Sequence, residues 1–191
     1  MVVRTLTLLA ALLLSVSEIR ADVSVGDAAG RYTIGTSGSA IRFSIAKLGG
    51  GGLSGAFGRF SGTIRIDGAD VARSAVEITI FPASVGTGQG RIDAFLRSDA
   101  VFDSANAPEI VFRSTGVRLA GDATAVIAGR LTARGRTYPE VFTAKLDSLK
   151  RGAVSFHVTG KVLRSRYGMD VGTPIYSNVV DFDMTLAGRR G

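Results

Sequence analysis

Residues 91–117 read RIDAFLRSDAVFDSANAPEIVFRSTGV, and this stretch decides the fold class. Ile92, Phe95 and Leu96 are spaced i, i+3, i+4 and therefore share one face of a helix. We predict a short helical insertion near residues 88–104. A single helical interruption in a chain that is otherwise patterned for strands predicts a helix that covers or plugs a barrel.

The chain on both sides of this insertion is patterned for β-strands. Pro108 ends any helix, and Ile110 and Phe112 then begin an alternation of period two. Similar alternations place apolar residues on one face of a strand at several other positions. These runs are Ile41/Phe43/Ile45, Ile64/Ile66, Val76/Ile78/Ile80, Ala125/Ile127, Val154/Phe156/Val158 and Val180/Phe182/Met184/Leu186. Turn-forming residues separate the runs, so we predict about eight antiparallel strands.

Eight strands are enough to close a barrel around one small or slender ligand. Closure would also remove the exposed strand edges that promote aggregation. A β-sandwich shows the same alternation, so the pattern alone leaves both closures open. Three glycines follow the glycine tract 49–52 at short intervals, at positions 55, 58 and 62. We interpret them as sites where the strand curves rather than as a mobile opening through which a long ligand enters the barrel.

Several short segments, taken in order and spacing, resemble the YceI-like family of secreted, lipocalin-like barrels that bind polyisoprenoids and related long-chain lipids. They are YTI (32–34), IRFSI (41–45), FSGTI (60–64), Asp93, LRS (96–98), FD (102–103), Pro108, FRST (112–115), LTARG (131–135), Pro139 and YGM (167–169). The resemblance implies a lipocalin-like barrel rather than a sandwich. The family usually carries a histidine at the position of Phe95 and an arginine at that of Ile92, so this chain departs from the pattern there.

The N-terminus has the features of a secretory signal peptide. Arg4 supplies a basic start, and residues 6–16 form an apolar stretch that is short for a membrane span. Cleavage is plausible after Ser17 or after Ala21. We predict that residues 1–21 are removed and that residues 22–191 form a single domain in the periplasm or outside the cell. A retained membrane anchor is the alternative.

Composition excludes several classes of chemistry. The chain has no cysteine, which rules out disulfides, thiolate metal sites and cysteine nucleophiles. Its formal net charge is +7, but the arginines are scattered singly, so we do not expect nucleic-acid binding. A weak contact with an anionic membrane surface suits an exported lipid binder, and a solvated basic surface is the alternative. The oligomeric state is left open, with a homodimer as one option.

The sequence offers little catalytic machinery. His157 is the only histidine, and its strand neighbours Phe156 and Val158 point the other way. We therefore predict a surface or structural role for it, with no metal site and no cofactor. Asp181 and Asp183 share the outer face of the last strand rather than forming an acid–base pair. Strand parity brings no polar group inside, so we predict that the protein is not an enzyme.

Apolar side chains are abundant instead, including 10 phenylalanines. By periodicity alone they would fill a solid core, but the resemblance implies that they line a cavity for a long-chain lipid. The predicted lining residues are Phe43, Ile45, Phe57, Ile64, Ile78, Ile80, Ile110, Phe112, Phe156, Phe182 and Met184, with Phe95 and Phe102 as lids. Asp93 and Arg97 have the i, i+4 spacing of an ion pair that would hold the helix in place.

These observations predict an exported, non-catalytic protein that holds a polyisoprenoid, isoprenoid quinone or similar amphiphile for transport, storage or sequestration. One alternative is a structural barrel with a filled core that acts at the envelope. A small outer-membrane barrel is disfavoured by the absence of tryptophan and by only four tyrosines, since such barrels carry aromatic girdles. A lipid-modifying enzyme is the third alternative.

Overall fold

The computed structural model describes residues 23–191. The predicted signal peptide, residues 1–21, lies outside the described residues, and the division into a leader and one domain stays a prediction. Within the described part of the chain, no helix is both long enough and apolar enough to cross a membrane.

Most of the described chain is β-strand, with one α-helix and four short 3-10 turns. The strand segments are β1 (Gly30–Ile34), β2 (Ala40–Ala46), β3 (Gly52–Phe57), β4 (Phe60–Ile66), β5 (Ala75–Ile80), β6 (Val85–Gly86), β7 (Ile110–Gly121), β8 (Thr124–Ala133), β9 (Arg136–Lys150), β10 (Ala153–Leu163) and β11 (Val179–Arg190). The helix α1 spans Gly90–Arg97, and the 3-10 turns span Gly26–Ala28, Val71–Arg73, Pro82–Ser84 and Arg164–Tyr167. The helix therefore lies inside the predicted window, whose remaining residues form turns.

The eleven strand segments make eight strands, because three pairs of segments are halves of bent strands. β1 leads into β2, β3 into β4, and β5 into β6, and each half pairs with the matching half of its neighbour. All pairings are antiparallel, and β11 pairs with β10 on one edge and with β1 and β2 on the other. This last pairing closes the sheet, which confirms the predicted eight-stranded barrel over the sandwich.

The two-residue alternation separates the inside of the barrel from the outside. In β9, Phe142, Ala144 and Leu146 are buried, whereas Thr143 and Lys145 are exposed. The same parity holds along the other long strands, so the apolar side chains face the barrel interior. A barrel embedded in lipid would need its apolar band on the outer face instead.

Segments between strands close both ends of the barrel. One end is closed by residues 87–109, which include α1. These residues alone are called the cover below. The β8–β9 turn and the connection 164–178 lie at the same end. At the opposite end lie residues 23–29, before β1, and the β4–β5 connection.

Glycines on the inner wall leave room for aromatic rings. Gly55 is the cross-strand partner of Phe43, and Gly160 is the partner of Phe142. A Cβ atom at Gly160 would lie far inside van der Waals contact with ring carbons of Phe142. The absent side chains therefore allow the rings to lie against the wall, so the glycines do more than permit curvature.

We expect Gly160→Ala to lower the free energy of unfolding by about 1–3 kcal/mol, because the Phe142 ring must leave its place on the wall. Gly116→Ala is the matched control, since nothing lies within 4 Å of a Cβ built at that strand position. The control should change stability by at most about 0.5 kcal/mol. Urea denaturation of both variants measures the difference, and equal stabilities would show that the ring does not depend on the glycine.

Candidate functional site

The interior of the barrel contains a cavity rather than a fully packed core. The volume of this cavity is about 160 Å³, counted as the space that the centre of a water-sized atom can occupy. All its lining residues are apolar except Ser74, Arg164 and Tyr167. Engineered apolar cavities of about 150 Å³ stay dry and bind benzene, so a cavity of this size and character can hold an apolar ligand.

The structure places twelve of the thirteen predicted ligand-binding residues on the wall of this cavity. They are Phe43, Ile45, Phe57, Ile64, Ile78, Ile80, Phe102, Ile110, Phe112, Phe156, Phe182 and Met184. Their position follows from the inward parity of the strands and, for Phe102, from the fold of the cover. Their contact with a ligand stays a prediction.

Phe95 does not lie on the wall, and its predicted place as a lid over the cavity was wrong. Its side chain is 46% exposed, whereas the next residue, Leu96, is buried and lines the cavity. Asp93 turns inward because its Oδ1 accepts hydrogen bonds from the backbone N–H and the hydroxyl of Thr87, at 2.7 and 2.6 Å. The inward face of α1 therefore centres on Ile92, Asp93 and Leu96, and Phe95 points outward.

Sequence reasoning missed part of the wall. Phe142 and Ala144 of β9 and Leu131 of β8 line the cavity. The alternation in VFTAKL, residues 141–146, is a signal that could have found the β9 residues. Met169 also lines the cavity, but it belongs to an irregular connection where no periodicity could predict its direction.

Ring contacts anchor the cover to the wall. The ring of Phe102 lies 5.6 Å from that of Phe57 in an edge-to-face arrangement. Phe57 in turn lies 5.4 Å from Phe43 on the neighbouring strand. Edge-to-face aromatic pairs are favourable beyond their area burial, so this row of rings stabilises the closed position of the cover.

One guanidinium group fastens the cover to the rest of the barrel. Arg134, in the β8–β9 turn, donates through Nη1 to the carbonyl oxygens of Val101 at 3.0 Å and Gly168 at 2.7 Å. Its Nη2 donates to the carbonyl oxygen of Asp99 at 2.8 Å. Because the acceptors belong to two segments, Arg134 joins the cover to the connection between β10 and β11.

Asp93 and Arg97 use other partners instead of the predicted ion pair with each other. Asp93 bonds Thr87 at the start of the cover, and Arg97 donates through Nη1 to the carbonyl oxygen of Val85 at 3.5 Å. The hydrogen bond from the Thr87 hydroxyl holds the pKa of Asp93 below its usual range. Both residues still tie the helix to the barrel, but through β6 and the segment that follows it.

A buried arginine shapes the connection between β10 and β11. Arg164 is 7% exposed and donates to the carbonyl oxygens of Ser177 and Val171 at 2.8 Å and of Tyr176 at 3.1 Å, and to that of Met169. Burial lowers the pKa of this guanidinium. Since carbonyl oxygens occupy its donors, Arg164 acts as the internal scaffold of this loop.

A buried tyrosine–glutamate pair lies at the same end of the barrel. The Tyr167 hydroxyl donates to Oε1 of Glu140 at 2.9 Å, and Nη1 of Arg166 lies 3.8 Å from the same oxygen. Glu140 shares the inward parity of Phe142 and is 8% exposed. Burial and the Glu140 carboxylate raise the pKa of Tyr167. The prediction that strand parity brings no polar group inside was therefore wrong at β9.

The outer face carries the remaining titratable residues singled out in the sequence. Nε2 of His157 lies 3.2 Å from Oδ2 of Asp183, and Asp181 pairs with Lys161. These side chains are exposed, and none of them lines the cavity. His157 lies on the outer surface, as its strand parity predicted. Among residues 23–191, no group of three His, Asp or Glu side chains is arranged to hold a metal ion.

Comparison with known proteins agrees with the fold. The family model of the YceI-like domain matches residues 32–187. The chain belongs to the YceI-like family. Protein YceI of Escherichia coli O157:H7 is 31% identical over 153 residues, which cover 78% of this chain and 80% of the relative. A UPF0312 protein of Ectopseudomonas mendocina is 36% identical over 105 residues, which span 55% of each protein.

Solved structures share the YceI-like fold. BcnA of Burkholderia cenocepacia superposes with a TM-score of 0.75 at 21% identity, over 81% of this chain and 98% of that one. A polyisoprenoid-binding domain of Saccharophagus degradans, implicated in plant cell wall breakdown, gives a TM-score of 0.67 at 17% identity, over 85% and 99% of the two chains. At these identities the likeness establishes the fold.

In this YceI-like barrel we expect Arg134→Ala to loosen the cover, because three carbonyl oxygens lose their donor. The free energy of unfolding should fall by about 1–3 kcal/mol. Amide hydrogen exchange should accelerate in residues 99–104 and much less in the strands. Arg130→Ala, at an exposed position of β8, is the control. Unchanged exchange in the cover of the Arg134 variant would contradict the fastening role.

Proposed function

We propose that this protein is a non-catalytic lipid-binding protein that holds a polyisoprenoid, isoprenoid quinone or similar long-chain amphiphile inside its barrel. The observation that carries the proposal is the cavity, which is apolar along the strands and covered at both ends. The Saccharophagus degradans domain of the same fold, described as polyisoprenoid-binding, supports it. Affinity in such a cavity comes from apolar area removed from water, which suits a long hydrocarbon chain.

The polar residues on the wall support a binding role over a lipid-modifying enzyme. The Ser74 hydroxyl accepts a hydrogen bond from the backbone N–H of Asp67 at 3.1 Å. Arg164 is bonded to carbonyl oxygens, and the raised pKa of Tyr167 keeps its hydroxyl protonated. Neither Ser74 nor Arg164 has a base hydrogen-bonded to it, and the Glu140 carboxylate that accepts from Tyr167 raises the pKa of the hydroxyl instead of activating it, whereas nucleophilic catalysis requires an activated group.

We further propose that the protein works in the periplasm or outside the cell, after removal of residues 1–21. The basic Arg4 and the apolar stretch 6–16 support export. A long isoprenoid exposes a large apolar area to water, which makes its free diffusion through an aqueous compartment unfavourable. A closed apolar cavity there would serve transport, storage or sequestration of such a lipid.

We also propose that the protein exchanges its lipid with a membrane, and two exposed apolar loop tips at the covered end support this. Leu48, in the β2–β3 turn, is 78% exposed and Ile175 is 55% exposed. The Leu48 N–H donates to the carbonyl oxygen of Ile175 at 2.8 Å, so the two tips lie side by side. Exposed apolar side chains of this kind suit insertion into a bilayer interface, and the excess of basic over acidic residues in the chain favours an anionic membrane.

Native mass spectrometry of the mature protein, purified without detergent, tests lipid binding. We expect a discrete mass increment, and organic extraction should identify an isoprenoid or acyl chain. Ala144→Phe should abolish the increment, because Ala144 lies on the wall and the added ring would fill the cavity. Ala128→Phe, at an exposed position of β8, should retain it.

Two results would count against the proposal. A wild-type protein of bare mass that takes up no added long-chain prenol would indicate that the interior is not a ligand site. Retention of the same lipid by the folded Ala144→Phe variant would place the lipid elsewhere on the protein.

The role of the loop tips in lipid exchange is tested by measuring the rate at which a prenol moves from anionic phospholipid vesicles to the protein. The double variant Leu48→Ser/Ile175→Ser should slow this transfer at least about fivefold, because it removes apolar area that would enter the bilayer. Leu119→Ser removes a comparable side chain, 48% exposed, at the other end of the barrel and should leave the rate unchanged. Equal rates in all three proteins would exclude exchange through these tips.

A further inference from the structure

Side chains from outside the barrel strands close the end of the cavity opposite the cover. Val25 comes from the segment before β1, and Val71 and Ser74 come from the β4–β5 connection. Because they belong to no strand, these residues lie across the end of the barrel rather than along its wall. Val25, Val71 and Ser74 are called the floor below.

The floor is held in place by hydrogen bonds to the barrel. The Val25 N–H donates to the carbonyl oxygen of Asp122, in the β7–β8 turn, at 2.8 Å. The Tyr32 hydroxyl, which is buried in β1, donates to the carbonyl oxygen of Ala28 at 2.9 Å. Val25 itself is 4% exposed. A ligand that reaches this end therefore meets a fixed apolar surface.

The distance from the cover to the floor gives the length of the cavity. On β8, the lining residues run from Ala125 to Ala133. About eight residue steps of ~3.3 Å span ~26 Å along the strand. Strands in such a barrel are tilted by about 40°, so this corresponds to ~20 Å along the barrel axis.

The volume and the length together give the width. The cavity volume of about 160 Å³ spread over that length leaves a mean cross-section of ~8 Å² for atom centres. This is the space of one hydrocarbon chain, and a second chain does not fit beside it. We therefore expect a long ligand to enter the barrel as a single extended chain.

We propose that the floor sets the length of the ligand, with Val25 as the residue that the end of the chain meets. An extended chain advances ~1.2 Å per bond, so the cavity holds about sixteen chain bonds, or about four isoprene units. A longer chain must emerge through the cover. This inference rests on the proposed function and narrows it to a lipid with a single chain, of which about this length is buried.

A series of all-trans prenols with two, three, four, six and eight isoprene units tests the inference by competition against a fluorescent fatty acid. For the wild type, affinity should rise at least tenfold with each added unit and stop rising at about four units, because further units stay in water. Val25→Phe should weaken the four-unit prenol at least tenfold and leave the two-unit prenol unchanged. Val25→Gly should raise the number of isoprene units at which the affinity stops rising.

Val23→Phe is the matched control, because Val23 is two residues away, 41% exposed and absent from the cavity wall. It should reproduce the wild-type length dependence. If Val25→Phe fails to fold, as judged by urea denaturation, Val71→Phe makes the same test from the other side of the floor. An unchanged length limit in the folded floor variants overturns the inference and leaves the proposed function intact. A wild type that binds the fluorescent fatty acid but no prenol also overturns the inference, whereas a wild type that binds neither overturns the proposed function itself.

Discussion

The pairing of β11 along both of its edges is the constraint on which the cavity depends. One edge pairs with β10, while the other pairs with β2 over residues 181–185 and with β1 over residues 188–190. At the bend between β1 and β2, the Ser39 hydroxyl accepts from the Ala187 N–H at 2.9 Å and donates to the Ala187 carbonyl at 3.3 Å. A side chain thus takes the place of backbone pairing where the strand turns. The sheet therefore closes without a free edge, and a closed wall can surround a space that its side chains do not fill.

Small residues on the inner wall keep that space open. Gly55 and Gly160 lie beneath phenylalanine rings, and Ala125, Ala133 and Ala144 occupy wall positions where larger residues would reach the axis. An unfilled cavity lowers stability in proportion to its volume. With no disulfide available, the ladders of the barrel and the bonds at its two ends must offset that loss. A bound apolar chain would restore the missing contacts and stabilise the folded state by mass action.

Polar groups are concentrated at the ends of the cavity, and their hydrogen bonds are made within the protein. Arg134 and Arg164 donate to backbone carbonyl oxygens of the covered end, and Tyr167 donates to Glu140. In the part of the chain that the structure describes, no buried side-chain nitrogen or oxygen lacks a partner. The polar side chains therefore hold the ends in place and leave the apolar wall to determine what the barrel accepts.

The sequence by itself determined the strands and most of the wall, because strand alternation is a local property with a period of two residues. The helical spacing gave the place of the helix, and the resemblance to the family favoured a barrel over a sandwich, which the pairing of β11 with β1 then established. The alternation in β9, had it been followed, would also have placed Phe142 inside and with it the polar Glu140. Only the tertiary structure decided that Phe95 points outward, because α1 packs Leu96 into the barrel interior and leaves Phe95 exposed. It also decided what closes the ends, where Val25 meets Asp122 and Arg134 meets the cover. These contacts join residues far apart in the chain, and no local pattern encodes them.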